Sequence, residues 1–170
     1  ANGKIPREGY CRDEAGGPPV IVVDSNVVAY LYLPGEHTGK AEALLEQDPD
    51  WAAPALWRSE FRNILAGYLR RRTLTFDQAC GLQNEAEDLL AGLEFEVDSK
   101  AVLELVRESE CSAYDCEYVA LANKLQVNLL TMDEKLLKAF PGCAVSLALV
   151  TPCMPVLRRT QGSSQLDRSY

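Results

Sequence analysis

The chain has 170 residues, 47% hydrophobic and 8% aromatic, with 17 basic and 25 acidic residues giving a net charge of −8. One ordinary domain with enough apolar surface for a core is expected, which excludes wholesale disorder and fibrous repeats. The longest apolar runs, such as Val20 to Val23, fall far short of the roughly 20 residues a membrane span requires, so a soluble protein is expected. No basic segment leading into an apolar stretch opens the chain, and a cytoplasmic location is the default.

Residues 1–19 hold three bases and three acids and residues 151–170 three bases and one acid, leaving eleven bases against twenty-one acids between them. Such a surface is no general nucleic-acid coat, and a phosphate substrate has to be met locally. Cysteines at 11, 80, 111, 116, 143 and 153 form no C-x-x-C pair, and His37 is the only histidine. A zinc finger, a two-histidine ribonuclease and a Ser-His-Asp triad are thereby disfavoured. The cysteines read mostly as reduced thiols.

In chain order, residues 1–19 are rich in Gly, Pro and charge without a period, and read as a tail or an added remnant. Val20 to Val23 reads as a strand buried on both faces, with Asp24 at its end, and Asn26 to Leu33 as a short helix springing from it. Gly39 to Gln47 is helical, Trp51 to Ala53 a short strand, and Pro54 is expected to start a long helix reaching Arg72. Thr75 caps the next helix, which runs to about Leu90 with Gly92 as its stop. Leu93 to Val97 is a short strand, Asp98 or Ser99 caps a helix with Val102, Leu105 and Val106 inward, and Ser112 caps another to Leu125. Val127 to Thr131 is a buried strand, Met132 to Phe140 a short helix and Ala144 to Val150 a last strand, with residues 151–170 a tail. The alternation predicts an α/β three-layer sandwich over residues 20–150, a central parallel sheet of about four to five strands with helices on both faces.

Ligand crevices of such sheets lie outside the carboxyl ends of the strands. Asp24 ends the first strand, Asp133 follows the strand ending at Thr131, and Asp115 lies in the first turn of its helix. Glu60 is placed two turns into the helix after Pro54, with Asn63 and Gly67 on its face. Each acid has a structural alternative. Asp115 and Glu134 stand three residues after Ser112 and Thr131 as in capping boxes, Asp24 suits an N-cap, and Glu60 has Arg58 and Arg62 nearby as ion-pair partners. Converging carboxylates without histidine or thiolate suit Mg2+ or Mn2+, and one such ion, or two about 4 Å apart, implies phosphoryl-transfer chemistry.

The strings Val-Ile-Val-Val-Asp24-Ser25-Asn26, Ser59-Glu60-Phe61, Ala113-Tyr114-Asp115-Cys116-Glu117-Tyr118-Val119-Ala120-Leu121-Ala122 and Leu129-Leu130-Thr131-Met132-Asp133 resemble PIN domains, in particular VapC-like toxin ribonucleases, over roughly residues 20–147. The resemblance implies a PIN-like fold and a Mg2+- or Mn2+-dependent endoribonuclease with Asp24, Glu60, Asp115 and Asp133 as catalytic, metal-binding acids. It makes Ser25, Asn26 and Thr131 supporting residues. It further implies a homodimer, an RNA substrate, and a cognate antitoxin whose C-terminal segment plugs the acidic pocket. Glu117, two residues from Asp115, is expected to point elsewhere.

Arg58 and Arg62, with Arg70 to Arg72 beyond, are candidate phosphate contacts, the alternative being that the last three neutralise a helix C-terminus. Trp57 and Tyr68 are candidates for base stacking, with core or dimer packing as their alternative. Two further readings stay open: a PIN-type nuclease of RNA maturation or DNA processing, and a catalytically silent α/β protein-binding module.

Overall fold

The structure, a computed structural model, describes residues 20–151. The expected tails, and with them Cys11 and Cys153, lie outside the described residues apart from Thr151. The elements are β1 (Ile21–Val23), α1 (Ser25–Tyr32), α2 (Thr38–Gln47), β2 (Trp51–Pro54), α3 (Trp57–Arg70), α4 (Phe76–Leu89), β3 (Glu94–Phe95), α5 (Ser99–Glu108), α6 (Ala113–Leu125), β4 (Leu129–Thr131), α7 (Glu134–Ala139), β5 (Ala144–Ser146) and a 3-10 turn at Leu147–Leu149. The five strands form one sheet in the order β3-β2-β1-β4-β5, every neighbouring pair parallel.

Parallel neighbours require crossovers, and right-handed crossovers in this order put α1 to α4 over one face and α5 to α7 over the other. The packing agrees, since α1 lies against α2 and α3 and α3 against α4, whereas α5 lies against α6. The strands are short but fully buried at their centre, with Val22, Val23, Ala52, Leu129 and Leu130 lost to solvent between the two helical layers. Cys80, Cys111, Cys116 and Cys143 are free thiols. Among the described residues no helix is long and apolar enough to cross a membrane.

Several expected boundaries move for identifiable reasons. Pro54 does not start a helix; it ends β2, buried, and α3 begins at Trp57. The backbone N–H groups of Ala53 and Ala55 donate to Leu93 and Phe95 on the β3 side, while the pairing of β1 with β2 has ended at Val22 and Ala52. The missing N–H of Pro54 thus falls beyond the ladder and costs no bond. The last strand stops at Ser146, whose hydroxyl accepts from the Ala148 N–H at 3.2 Å and turns the chain into the 3-10 segment. Asp133 rather than Thr131 caps α7, and the strand before it starts at Leu129 because Gln126 takes a left-handed conformation, φ 57°, where Gly or Asn is usual. Gly92, φ 79°, sits two residues past the Leu90 cap of α4.

Arg58 is a structural residue in this fold. Its Nε and Nη2 make a forked contact with Glu94 on β3 at 2.7 and 2.6 Å, its Nη1 pairs with Glu87 on α4, and its guanidinium stands 5.6 Å from the centre of the Trp57 ring. This corrects its assignment as a phosphate contact, because the fork that would grip a phosphate is already occupied by two carboxylates. Arg58→Ala is expected to lower stability by about 1 kcal/mol, since the cluster is partly exposed and forked. Arg58→Lys recovers only part of that, and urea melts of the two variants check both.

Candidate functional site

The order of the sheet reverses at β1, so the crevice of this fold lies where β1 and β4 end side by side. Asp24 leaves β1 there, its N–H still donating to the Leu130 carbonyl at 3.0 Å, and only 6% of the residue is exposed. Both carboxylate oxygens are engaged. The Thr131 hydroxyl donates to Oδ2 at 2.7 Å, and the Asn26 N–H and the Ser25 hydroxyl donate to Oδ1 at 3.1 and 3.3 Å. Burial pushes the Asp24 carboxyl above its ordinary value; the hydrogen bonds from Thr131, Asn26 and Ser25 oppose the rise and the charge of Asp133 adds to it.

Glu60 comes from the other side of the crevice, in the first turn of α3 rather than two turns in, because the helix starts later than its sequence suggests. Its Oε2 accepts the phenol proton of Tyr118, a fully buried residue of α6. Burial raises the Glu60 carboxyl; hydrogen bonds from Tyr118 and Ser25 oppose this, and the charges of Asp24 and Asp115 raise it further. Neither neighbouring arginine pairs with it. Residues two apart on a helix face opposite ways, so Arg58 and Arg62 lie on the far side of α3 from Glu60. There Arg62 is exposed, its Nη2 contacts Ser59 Oγ at 3.1 Å, and it lines a cleft with Phe76 and Gln83 of α4. The two arginines do not face the acids, so a phosphate met by Arg62 would lie away from the carboxylates.

Asp115 and Ser112 form the capping box of α6. The Ser112 hydroxyl and N–H donate to Asp115 Oδ2 at 2.7 and 3.1 Å, and the Asp115 N–H returns to Ser112 Oγ at 3.1 Å. Asp133 caps α7, its Oδ1 accepting from the N–H groups of Lys135 and Leu136 at 2.7 and 3.3 Å. The Asp133 N–H donates to Thr131 Oγ1 at 2.9 Å, so one hydroxyl joins Asp133 to Asp24. Sequence reasoning gave Tyr118 no role, although its three-residue step from Asp115 puts both on one helix face. It also set Glu117 aside, yet Glu117 is raised by burial and by the charges of Glu60 and Glu96, which puts it on the flank of the same cluster. Trp57 is fully buried, so it is core and no stacking surface.

Among the described residues no three His, Cys, Asp or Glu side chains stand together closely enough to hold a metal ion as arranged. Asp24, Asp115 and Asp133 serve as caps or capping-box partners of the helices they start, and the Tyr118 phenol ties Glu60 of α3 across to α6. The donor set nevertheless fits a hard divalent cation. It consists of carboxylates alone, and Asp24 and Glu60 both resist ionisation, chiefly because they are buried, with the charges of neighbouring carboxylates adding to the effect.

A family model described as PIN domain matches residues 21–140. Ribonuclease VapC3 of Pyrobaculum aerophilum is 32% identical over 135 residues, which is 78% of this chain and 98% of that protein. Among solved structures, FitAcB from Neisseria gonorrhoeae aligns with a TM-score of 0.61 at 18% identity, covering 75% of this chain and 98% of that one. A toxin-antitoxin complex from Klebsiella pneumoniae aligns with a TM-score of 0.55 at 18% identity, covering 75% of this chain and 97% of that one. The two structural likenesses bear on the fold.

An acid whose pKa is higher folded than unfolded retains its proton longer in the folded state, so stability falls as pH rises from the unfolded value through the folded one. For Asp24 and Glu60 that window opens upward from the ordinary 3.8 and 4.5. In EDTA, Glu60→Gln is expected to flatten the fall of melting temperature across this window relative to the wild type, as read by thermal melts at half-unit pH steps. Equal slopes would contradict a raised Glu60.

Proposed function

This chain belongs to the PIN domain family, and on that premise we propose that it is a metal-dependent endoribonuclease, the toxin of a toxin–antitoxin pair. Asp24, Glu60, Asp115 and Asp133 are its catalytic acids and the ligands of Mg2+ or Mn2+. The observation that carries the proposal is Glu60. It is half-buried, caps nothing, and is flanked by Asp24 and Asp115 where a structural carboxylate would be flanked by a cation. The ribonuclease named among its relatives supports the RNA substrate, and the toxin-antitoxin complex among the structural neighbours supports a cognate antitoxin as partner. A homodimer is part of the same proposal, checked by the mass of the purified protein in solution.

Bound among these acids, a divalent cation supplies the Lewis acidity that lowers the pKa of an attacking water and neutralises charge on the phosphate. The chain's own contribution is orientation and charge. Thr131 and the Asn26 N–H fix the plane of the Asp24 carboxylate from opposite oxygens, and Thr131 ties it to the Asp133 backbone. Tyr118 holds Glu60 by one oxygen, and Ser25 adds a further hydrogen bond to the same carboxylate. Asp24 and Glu60 must lose their protons before they can serve as ligands, so cation affinity is expected to rise with pH through the window where both are held up. The sheet ends close the floor of the site, with Thr131 fully buried beneath the acids.

One observation favours a second reading, a catalytically silent binding module: Asp24, Asp115 and Asp133 all serve as helix caps or capping-box partners. A cap needs no metal, so the two readings part on a simple measurement. Millimolar Mn2+ is expected to raise the melting temperature of the wild type and not that of Asp133→Ala; no shift in the wild type favours the silent module. Asp24→Asn and Asp115→Asn are each expected to lower Mn2+-dependent cleavage of single-stranded RNA by on the order of 100-fold or more while keeping the wild-type circular dichroism. Growth arrest on expression, relieved by the product of a neighbouring gene, separates a toxin from a nuclease of RNA maturation or DNA processing.

A further inference from the structure

Two helices start at the carboxylates and run away from them side by side. Asp24 caps α1, Glu60 lies in the first turn of α3, and α1 packs along α3. Asn26 and Tyr30 recur at a four-residue step on α1, and Ile64 and Tyr68 follow Glu60 at the same step on α3, so both sets face one groove. They line an open cavity of about 240 Å3 whose wall His37 completes. The His37 ring meets the Tyr30 ring edge to face, centroids 4.7 Å apart. The near end adjoins the acids: the Asn26 N–H is bound to Asp24, and the Asp24 charge acts on Tyr30. Eight residues along α3, about 12 Å from Glu60, the Arg71 guanidinium lies 4.7 Å from the centre of the Tyr68 ring, and Arg70, Arg71 and Arg72 are exposed around it.

We propose that this α1/α3 groove is a nucleobase subsite, which takes a base of single-stranded RNA flanking the phosphate held at the acids. Rings give a base a stacking platform irrespective of its identity, and an unpaired strand is what exposes a base face to them. The Asn26 carboxamide and the Glu36 carboxylate, both exposed and both lining the groove, offer donors and acceptors to a base edge. Beyond the rings, the exposed arginines meet the next phosphates, so the acidic chain presents positive charge one groove-length from its acids. Of the two aromatic candidates in the sequence, Tyr68 is the one that stands in a groove. The inference rests on the nuclease reading for the phosphate at the acids, and the groove itself is tested without cleavage.

The test is fluorescence anisotropy of a labelled eight-nucleotide single-stranded RNA against the full chain in EDTA at low salt. Tyr68→Ala is expected to weaken binding roughly ten-fold, the loss of one base–aromatic stack, with Tyr68→Phe close to wild type. His37→Ala, remote from the core strands, is expected to weaken it several-fold, which keeps the test alive where Tyr68→Ala melts early. Phe76→Ala, 71% exposed on α4, serves as the control and is expected to bind as wild type does. Wild-type affinity in both Tyr68→Ala and His37→Ala, or no binding by the wild type, overturns the subsite. RNA cleavage in Mn2+ by the wild type is measured alongside. Cleavage with unchanged binding in the variants overturns the groove and leaves the nuclease, whereas weakened binding without any wild-type cleavage overturns the nuclease and leaves the groove.

Discussion

The direction of the strands decides where the acids meet. Every strand pair is parallel, so each crossover leaves the sheet at its carboxyl edge, and the helix that follows turns its N-terminus toward that edge. Three of the candidate acids occupy such N-termini, Asp24 and Asp133 as the caps of α1 and α7 and Glu60 in the first turn of α3, while Asp115 stands in the first turn of α6, which follows α5 and leads into β4. The acids come from distant stretches of the sequence, but they share one local rule, that a helix start favours a carboxylate.

That rule does not cancel the repulsion it creates. A helix terminus stabilises a nearby carboxylate by about 0.3–1 kcal/mol, whereas two unit charges about 8 Å apart at an effective dielectric of about 20 repel by about 2 kcal/mol. At Asp24 and Glu60 burial is the larger burden and the neighbouring carboxylate charges add to it, so both carboxyls are raised despite three hydrogen bonds to the first and two to the second. Thr131 bears much of what compensation there is, since its single hydroxyl donates to Asp24 and accepts from the Asp133 N–H. A divalent cation bound as proposed would supply a counter-charge at these acids, so the electrostatics that burden the fold would favour the proposed chemistry.

The alternation of strands and helices was legible because buried parallel strands read as continuous β-branched and aliphatic runs, as Val20 to Val23 does. Boundaries were less so, because they turn on hydrogen-bond partners a sequence does not display. Pro54 stayed in β2 only because its missing N–H faces the side where β1 has ended, and Gln126 took a left-handed cap without the glycine that would announce it. That Asp24 and Asp133 stand at strand ends and Asp115 at a helix start was legible, while their joint role belongs to the proposed function. The place of Arg58 did not follow, although the necessary rule was at hand: a two-residue step on a helix reverses the face, so Arg58 lies away from Glu60 and meets Glu87 of α4 and Glu94 of β3. Tyr118 was hidden for another reason, since its value lies in a contact with Glu60, 58 residues earlier in the chain.

Capping and ligation are commonly treated as rival explanations of an acid at a helix start, but here the capping bonds would leave a different atom for a ligand. In Asp115 the capping bonds from Ser112 go to Oδ2, and in Asp133 the helix N–H groups go to Oδ1, so each carboxylate is anchored through one oxygen. An anchored carboxylate has lost most of its rotamer freedom before any ligand arrives, and its remaining oxygen is aimed by the helix that it caps. Preorganisation of this kind lowers the entropic cost of assembling a site. It also limits their movement: acids fixed to four separate helices can draw together only as far as those helices and the short strands beneath them yield.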